Sequence, residues 1–344
     1  MSYIKRDLGL SFTRGAIALG LSQGRQEDAV VYASKKWGPS SEPALILRAA
    51  LGNANTGGDE IDWDASGDEF IEAVTPQTII GKLRGLRNVP ANVPFAASSD
   101  VATAYWTAEG KATPVSRMAF DRKTLSPLKT AALVVFSEDL LKASNGEELV
   151  RRDLVRACAK LTDQTFINNA NAGIAGQMPA GITNGAAAIV SSGDIADDIG
   201  AAIAAFEGDF QFATWVLHPK LAAKIGLRAA GAGVAADLGA RGGNLAGLPA
   251  IVSEGCPINV ISLVDASAVA IVDQGAEVSV SKQASVEMDT APTGDSTTPA
   301  ASANSMVSLF ATDSVGLIVT RKINWLLGRT NAAVLITGAA YAGV

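Results

Sequence analysis

Two rhythms divide the chain. From Leu8 to Trp37 apolar residues recur at helical spacing, as in Phe12, Ala16 and Leu19 and again in Ala29, Tyr32 and Ala33. Gly15, Gly20 and Gly24 interrupt that run, which predicts two short amphipathic helices rather than one long one. "PALILRAAL" predicts a third helix, and "GNANTGGDEIDWDASGDEF" after it is polar, acidic and Gly-rich, the composition of an exposed linker or arm. Between Thr75 and Pro94 short apolar runs are broken by Gly81, Gly85, Pro90 and Pro94. Strand signals then dominate "AYWTAEGKATPVSRMAF" and "KTAALVVFS", predicting a two-stranded ribbon whose tip lies near Glu109, Gly110 and Lys111.

The helical rhythm returns at Ser137, an N-cap candidate with Glu138 and Asp139 in the following turn. Val150, Leu154, Cys158, Leu161 and Thr165 form one apolar stripe, so the spacing predicts a long helix over 137–169 with a break at Asn145-Gly146. Glu147 with Arg151 and Glu148 with Arg152 stand at i,i+4, acid first, the favourable order. "AGQMPAGITNG" closes the helix as a Gly/Pro loop. Residues 186–280 alternate apolar strands ("TWVLHP", "LPAIVSEG", "VAIVD") with helical stretches ("IADDIGAAIAAFEG", "PKLAAKIGLRAA"), the pattern of a compact α/β domain. From Ala276 onward the chain is strand-rich again, around a Thr-, Ser- and Pro-rich loop, "DTAPTGDSTTPAASANS". No repeat of fixed period is present.

Composition narrows the function. Of 344 residues, 48% are hydrophobic and only 18% charged, so the chain must hide more surface than an ordinary soluble domain, and burial against other copies is one way to do so. The net charge of -6 opposes adhesion to a nucleic-acid backbone, and the densest basic groups are isolated pairs, Arg84 with Arg87 and Arg151 with Arg152. Cys158 and Cys256 lie far apart without a CxxC pattern and read as small reduced core residues. The start, "MSYIKRDLGLSF", lacks the apolar run of a signal peptide, and no stretch reaches the length of a membrane span, so the reading is a soluble product of a cytoplasm.

Candidate chemistry is sparse. The single histidine, His218, sits where a strand ends and Pro219 starts a helix, the place of a capping residue. One His and two distant Cys do not make a zinc site, and neither HExxH, GxSxG nor a Walker-type GxxxxGK[ST] occurs. Gly231-Ala232-Gly233-Val234-Ala235-Ala236 fits the GxGxxA dinucleotide pattern but follows a helical stretch, whereas that fingerprint needs strand, turn and helix in order. A mobile glycine-rich loop accounts for it better. Asp59-Glu60 and Asp197-Asp198 are acidic pairs without the spaced ligands of a calcium loop and read as solvated. No cofactor or metal is expected. Tyr105 and Trp106 are the anomaly, because aromatics on an isolated ribbon expose costly apolar area unless another subunit covers them.

The order "AYWTAEGK-P-S--AF", "K-A-L-V-SEDLL", the charged helix, "PAGITNG", "ASVEMDTAPT" and "LFATDSVGLIVTRKINW" resembles the major capsid proteins of tailed bacteriophages, those with the Hong Kong 97-type fold, over nearly all of the chain from about Trp37. That resemblance implies an α+β fold in four stretches. Residues 1–75 would be an N-terminal helical extension and arm, with the arm along a neighbouring subunit. Residues 76–173 would begin a peripheral domain, with an extended loop at 95–132 and a spine helix at 137–169. Residues 174–275 would be an axial domain, and 276–344 would complete the peripheral domain. The extended loop implies intersubunit contacts through Tyr105, Trp106, Glu109, Gly110 and Lys111. The axial domain implies a loop of Gly231, Gly233, Gly239, Gly242 and Gly243 crowding a hexamer or pentamer centre.

The resemblance further implies a partner list headed by the chain itself, in pentamers and hexamers enclosing double-stranded DNA without sequence-specific binding, with portal, scaffolding or decoration proteins alongside and no membrane. Some members of that family join a loop lysine to a neighbour's asparagine, for which Lys111 and either Asn324 or Asn331 are the candidates. The rival readings are an encapsulin-like nanocompartment of the same fold and a nucleotide-dependent enzyme built on Gly231–Ala236.

Overall fold

The structure is a computed structural model that describes residues 10–22, 25–54, 71–98, 105–112, 115, 120–137, 139, 146–229, 231, 233–234, 236–289 and 306–341. The chain forms two compact units, one made of Met1–Val74, Thr130–Cys158 and Gly275–Arg321, the other of Thr75–Lys129, Ala159–Gln274 and Lys322–Val344.

In the first unit three helices, α1 (Leu10–Leu21), α2 (Gln26–Trp37) and α3 (Glu42–Ala54), share a core of Ala18, Leu19, Ala29, Ala33, Ala44 and Leu47. Four of those six are alanine, so the helices meet with little side chain between them. The charges at the ends of α2 suit its dipole: Glu27 and Asp28 stand in the first turn, Lys35 and Lys36 in the last. Gly38, at φ 103°, takes the left-handed position that stops the helix. The acidic stretch 55–70, with Asp59 and Glu60, lies outside the described residues.

The second unit is built on a seven-stranded mixed sheet. Its order is β5 (Ala187–Val190), β15 (Ala333–Thr337), β10 (Val260–Asp265), β6 (Ala213–Leu217), β9 (Leu248–Val252), β8 (Gly242–Leu245), β7 (Ala236–Gly239). The central strands are buried on both faces, and the period of two sorts their residues. Trp215 and Leu217 of β6, Ile261 and Leu263 of β10, and Val334 and Ile336 of β15 pack into one core with Ile195, Ile199 and Ala202 of α6 (Ile195–Ala205) and Leu221 and Ile225 of α7 (Pro219–Ala229). Val216, Val264 and Ala333 point the other way. They meet Phe166 and Ile167 of α5 (Gly146–Ile167), Ile79 and Ile80 of the short helix α4 (Ile79–Lys82), and Trp325.

A second sheet has the order β1 (Arg87–Asn88), β11 (Val269–Ser281), β14 (Ser314–Leu327), β4 (Leu128–Ser137). Two small ribbons complete the fold: β2 (Phe95–Ser98) with β3 (Phe120–Lys123), and β12 (Ser285–Glu287) with β13 (Met306–Ser308).

Three expectations change. Ser137 ends β4, Asp139 just after it is helical, and the long helix is described from Gly146, after the predicted break at Asn145-Gly146. Its buried stripe is Val150, Leu154, Val155, Ala159, Thr162, Asp163 and Phe166, whereas Leu161 is 44% exposed. A stripe drawn at steps of 4, 4, 3 and 4 averages about 3.75 residues per turn against about 3.6 for the helix, so it drifts roughly 60° off the true face. Among the described residues Glu148 pairs with Arg151 at i,i+3, 2.7 Å, rather than with Arg152. The stretch assigned wholly to the peripheral part beyond 276 also supplies β15, which lies between β5 and β10 of the seven-stranded sheet.

Candidate assembly surfaces

The β2–β3 ribbon pairs Phe95 with Lys123, Ala96 with Arg122, Ala97 with Asp121 and Ser98 with Phe120. Arg87 braces its base. One guanidinium nitrogen donates to the Ala96 carbonyl at 2.9 Å, and the group stands 5.4 Å from the centre of the Phe95 ring. Beyond the ribbon, Ala108 to Lys111 form a turn in which the Lys111 amide donates to the Ala108 carbonyl at 3.1 Å. Gly110 sits there at φ 77° in open space, and Glu109 and Lys111 are exposed beside it. Tyr105 is 49% exposed and Trp106 fully so, as is nearly all of Val115. A tryptophan carries roughly 150–250 Å² of buriable surface. At ~25 cal/mol per Å², about 4–6 kcal/mol of burial is left unrealised within one chain.

The glycine-rich stretch after α7 is mainly not a loop. Gly231 and Gly233 occupy turns, but Gly239 and Gly242 face each other at the end of the β7–β8 hairpin. Gly243, at φ 146°, pairs with Leu238, and a Cβ there would overlap the Asp237 carbonyl oxygen. A Cβ on Gly242 (φ 100°) would approach the Ala250 carbonyl oxygen to 2.8 Å. These two glycines therefore serve close backbone approach between strands. A helix precedes Gly231 and a strand follows Ala235, which removes the strand–turn–helix context of a dinucleotide site. Leu227, on α7, is 87% exposed.

Three buried carboxylates hold the second unit in shape, and the apolar pattern revealed none of them. Asp163 accepts from the Ile79 amide at 2.8 Å and the Ser253 hydroxyl at 2.5 Å, tying α5 to α4 and to the turn after β9. Burial pushes its carboxyl up to about 6 against the pull of those two bonds and of Lys82. Asp265 accepts from the Asp209 amide, the Ser267 amide and hydroxyl, and the Arg329 guanidinium at 2.9 Å. Asp198, expected to be solvated, is 2% exposed and receives Ser191, Ser192 and Tyr341. Burial opposes its ionisation, yet those donors together hold its pKa below the usual range. The one available signal was an acid on the inner face of an otherwise apolar helix.

The remaining candidates are accounted for locally. His218 caps α7, its Nδ1 accepting from the Lys220 amide at 3.1 Å, and burial lowers its pKa. Cys158 and Cys256 are not joined in a disulfide, and burial raises the pKa of both thiols, Cys256 to about 12. Asn324 donates to the Ser126 carbonyl at 2.6 Å, and Asn331 to the Glu207 carboxylate at 2.5 Å. No helix among the described residues is long and apolar enough to cross a membrane.

The fold has solved counterparts. A chain from Microbacterium phage Oxtober96 superposes with a TM-score of 0.51 at 17% identity, covering 74% of this chain and 89% of that one. A chain from Gordonia phage Cozz gives 0.50 at 15% identity, covering 76% and 86%. The architecture is the Hong Kong 97-type capsid fold. The family model described as the phage capsid family matches residues 64–338, and the chain belongs to that family. A relative from Pseudomonas phage PAJU2, the "Capsid polyprotein", is 34% identical over 366 aligned positions that include 97% of this chain. The chain spans 54% of that relative's length.

Proposed function

We propose that the chain is the major capsid protein of a tailed bacteriophage or prophage. Copies associate as pentamers and hexamers into an icosahedral shell around double-stranded DNA, built in the bacterial cytoplasm and retained in the virion. Its work is mechanical rather than catalytic. The observation that carries this reading is Trp106, fully exposed in the segment between the two strands of a ribbon in a member of the phage capsid family. A ribbon of four residue pairs is marginal alone and becomes stable when a neighbour covers it. On this reading Tyr105, Trp106, Glu109, Gly110 and Lys111 lie on an adjacent subunit, and interfaces of this kind bury on the order of 2,000 Å² or more. The turns at Gly231 and Gly233 and the tip of the β7–β8 hairpin at Gly239, Gly242 and Gly243 approach the axis of the ring. The net charge of -6 suits an inner wall along which DNA slides during packing.

Electron microscopy of the expressed chain tests the reading. Closed icosahedral particles are expected, and a monodisperse 35.2 kDa monomer at every concentration and salt would overturn it. Extraction of particle contents separates a DNA-filled shell from a protein-filled compartment.

A further inference from the structure

Beyond β15 the chain crosses onto the helices that cover one face of the seven-stranded sheet. Gly338 turns it at φ 75°, in open space. The Ala339 amide donates to the Asn259 carbonyl at 3.0 Å, the Ala340 carbonyl accepts from Lys224 Nζ of α7 at 3.3 Å, and the Tyr341 hydroxyl donates to Asp198 of α6 at 2.8 Å. Ala339 and Tyr341 are buried in the core that α6, α7 and the sheet share. A strap of consecutive residues, 338–341, therefore joins β15 to both helices.

Closure of this strap is balanced more finely than the hubs at Asp163 and Asp265. Tyr341 takes φ 38°, a left-handed value that crowds the Cβ of any residue but glycine, so the closed form stores backbone strain. Burial and the Asp198 carboxylate raise the pKa of the Tyr341 hydroxyl, which keeps it a donor. When that donor leaves, Asp198 is not stranded: the Ser191 hydroxyl at 2.5 Å, the Ser192 amide at 2.7 Å and the Ser192 hydroxyl at 2.8 Å still serve it. Among the described residues the Ala339–Asn259 bond is the one backbone pairing that the strap must break, and Gly338 supplies a pivot free of steric contact. Unseating Tyr341 thus leaves no buried charge unpaired, and a segment of that kind can open ahead of the domain that carries it.

We propose that residues 338–341 form a latch that pivots about Gly338 and opens while the sheet stays folded, and that in its closed state it anchors the last turns of α7. That helix leads into the turns at Gly231 and Gly233. Where copies form rings, the latch sets how firmly each copy presents those turns near the axis; this consequence rests on the shell reading, and the latch itself does not.

Amide hydrogen exchange of the full chain, at a concentration where it is unassembled, tests the latch. In the wild type the Ala339 amide exchanges at least about 100-fold faster than the amides of Ile261 and Leu263 in β10. Low urea accelerates the β10 amides steeply and leaves Ala339 nearly unchanged, because a local opening exposes little surface. Tyr341→Phe keeps the ring and removes the hydroxyl, so exchange at Ala339 rises about 10- to 100-fold, the loss of one hydrogen bond to a charged group. The amides of Gly226 and Leu227, in the last turns of α7, accelerate in step with it. Exchange of Ala339 at the β10 rate and with the β10 urea dependence shows that the strap opens only with the whole unit, and overturns the proposal without any variant. Exchange at Ala339 that ignores Tyr341→Phe removes the tyrosine as the catch, and α7 amides that ignore it remove the anchor; either result also overturns the proposal. Particle formation decides the shell reading and has no part in this measurement, so the two can fail separately.

Discussion

Trp106→Ala separates what holds one chain together from what holds copies together. Within the chain the indole is fully exposed, so its removal costs the isolated subunit almost nothing. Unfolding of unassembled protein, followed at low concentration by intrinsic fluorescence, should shift by less than about 1 °C. Covered by a neighbouring copy in the proposed shell, the same side chain would remove roughly 200 Å² from water, an upper bound of about 5 kcal/mol. Truncation of a central aromatic in a protein interface costs about 2–4 kcal/mol in practice. One contact per subunit therefore translates into a threshold concentration for assembly raised about 30- to 1,000-fold. Light scattering against protein concentration reads that threshold directly. A loss of several degrees in the unassembled subunit, or an unmoved threshold, would show that Trp106 is not an assembly contact.

Asp163 gives a pH test. Its folded pKa, about 6, lies above the ordinary 3.8, so between those values the folded chain binds more protons than the unfolded one, and stability at this site rises as pH falls from 7 toward 4. The span corresponds to at most ~3 kcal/mol. Urea midpoints of Asp163→Asn should lack that part of the pH slope, and a variant with an unchanged slope refutes the assignment. Asp265→Ala strips four bonds and leaves Arg329 unpaired, which should cost about 3–5 kcal/mol in urea unfolding; a loss under 1 kcal/mol contradicts the role of the carboxylate as a hub. Gly243→Ala should destabilise by at least ~2 kcal/mol through its clash with the Asp237 carbonyl, whereas Gly110→Ala, in open space, should cost only ~1 kcal/mol of backbone strain. Equal losses at the two glycines would mean that the hairpin does not pack as described.

Much of this architecture could be read before any coordinates. "TWVLHP" announced β6 because all five of its residues are buried and Pro219 then opens α7. The stretch "IADDIGAAIAAFEG" was equally legible as α6, which Asp194 caps by accepting from the Ala196 amide at 2.7 Å. The pair Tyr105-Trp106 beside a turn could be recognised as an anomaly because exposed aromatics are expensive. What escaped depended on partners distant in sequence. Asp163 reads as a helix-surface acid until Ile79 and Ser253 are brought to it. Gly242 and Gly243 read as slack because glycine has no side chain with which to show a strand's alternation; only the nearness of Ala250 and Asp237 explains them.

The link from the Ile79 amide to Asp163 also sets where mechanical load ends. Tension on any residue before Thr78 travels along the backbone until it meets that bond, the Thr78 cap on Gly81, and the two isoleucines seated beside Phe166 and Val264. A tug on the amino-terminal portion is thus grounded in the buried cluster where α4 and α5 meet the seven-stranded sheet.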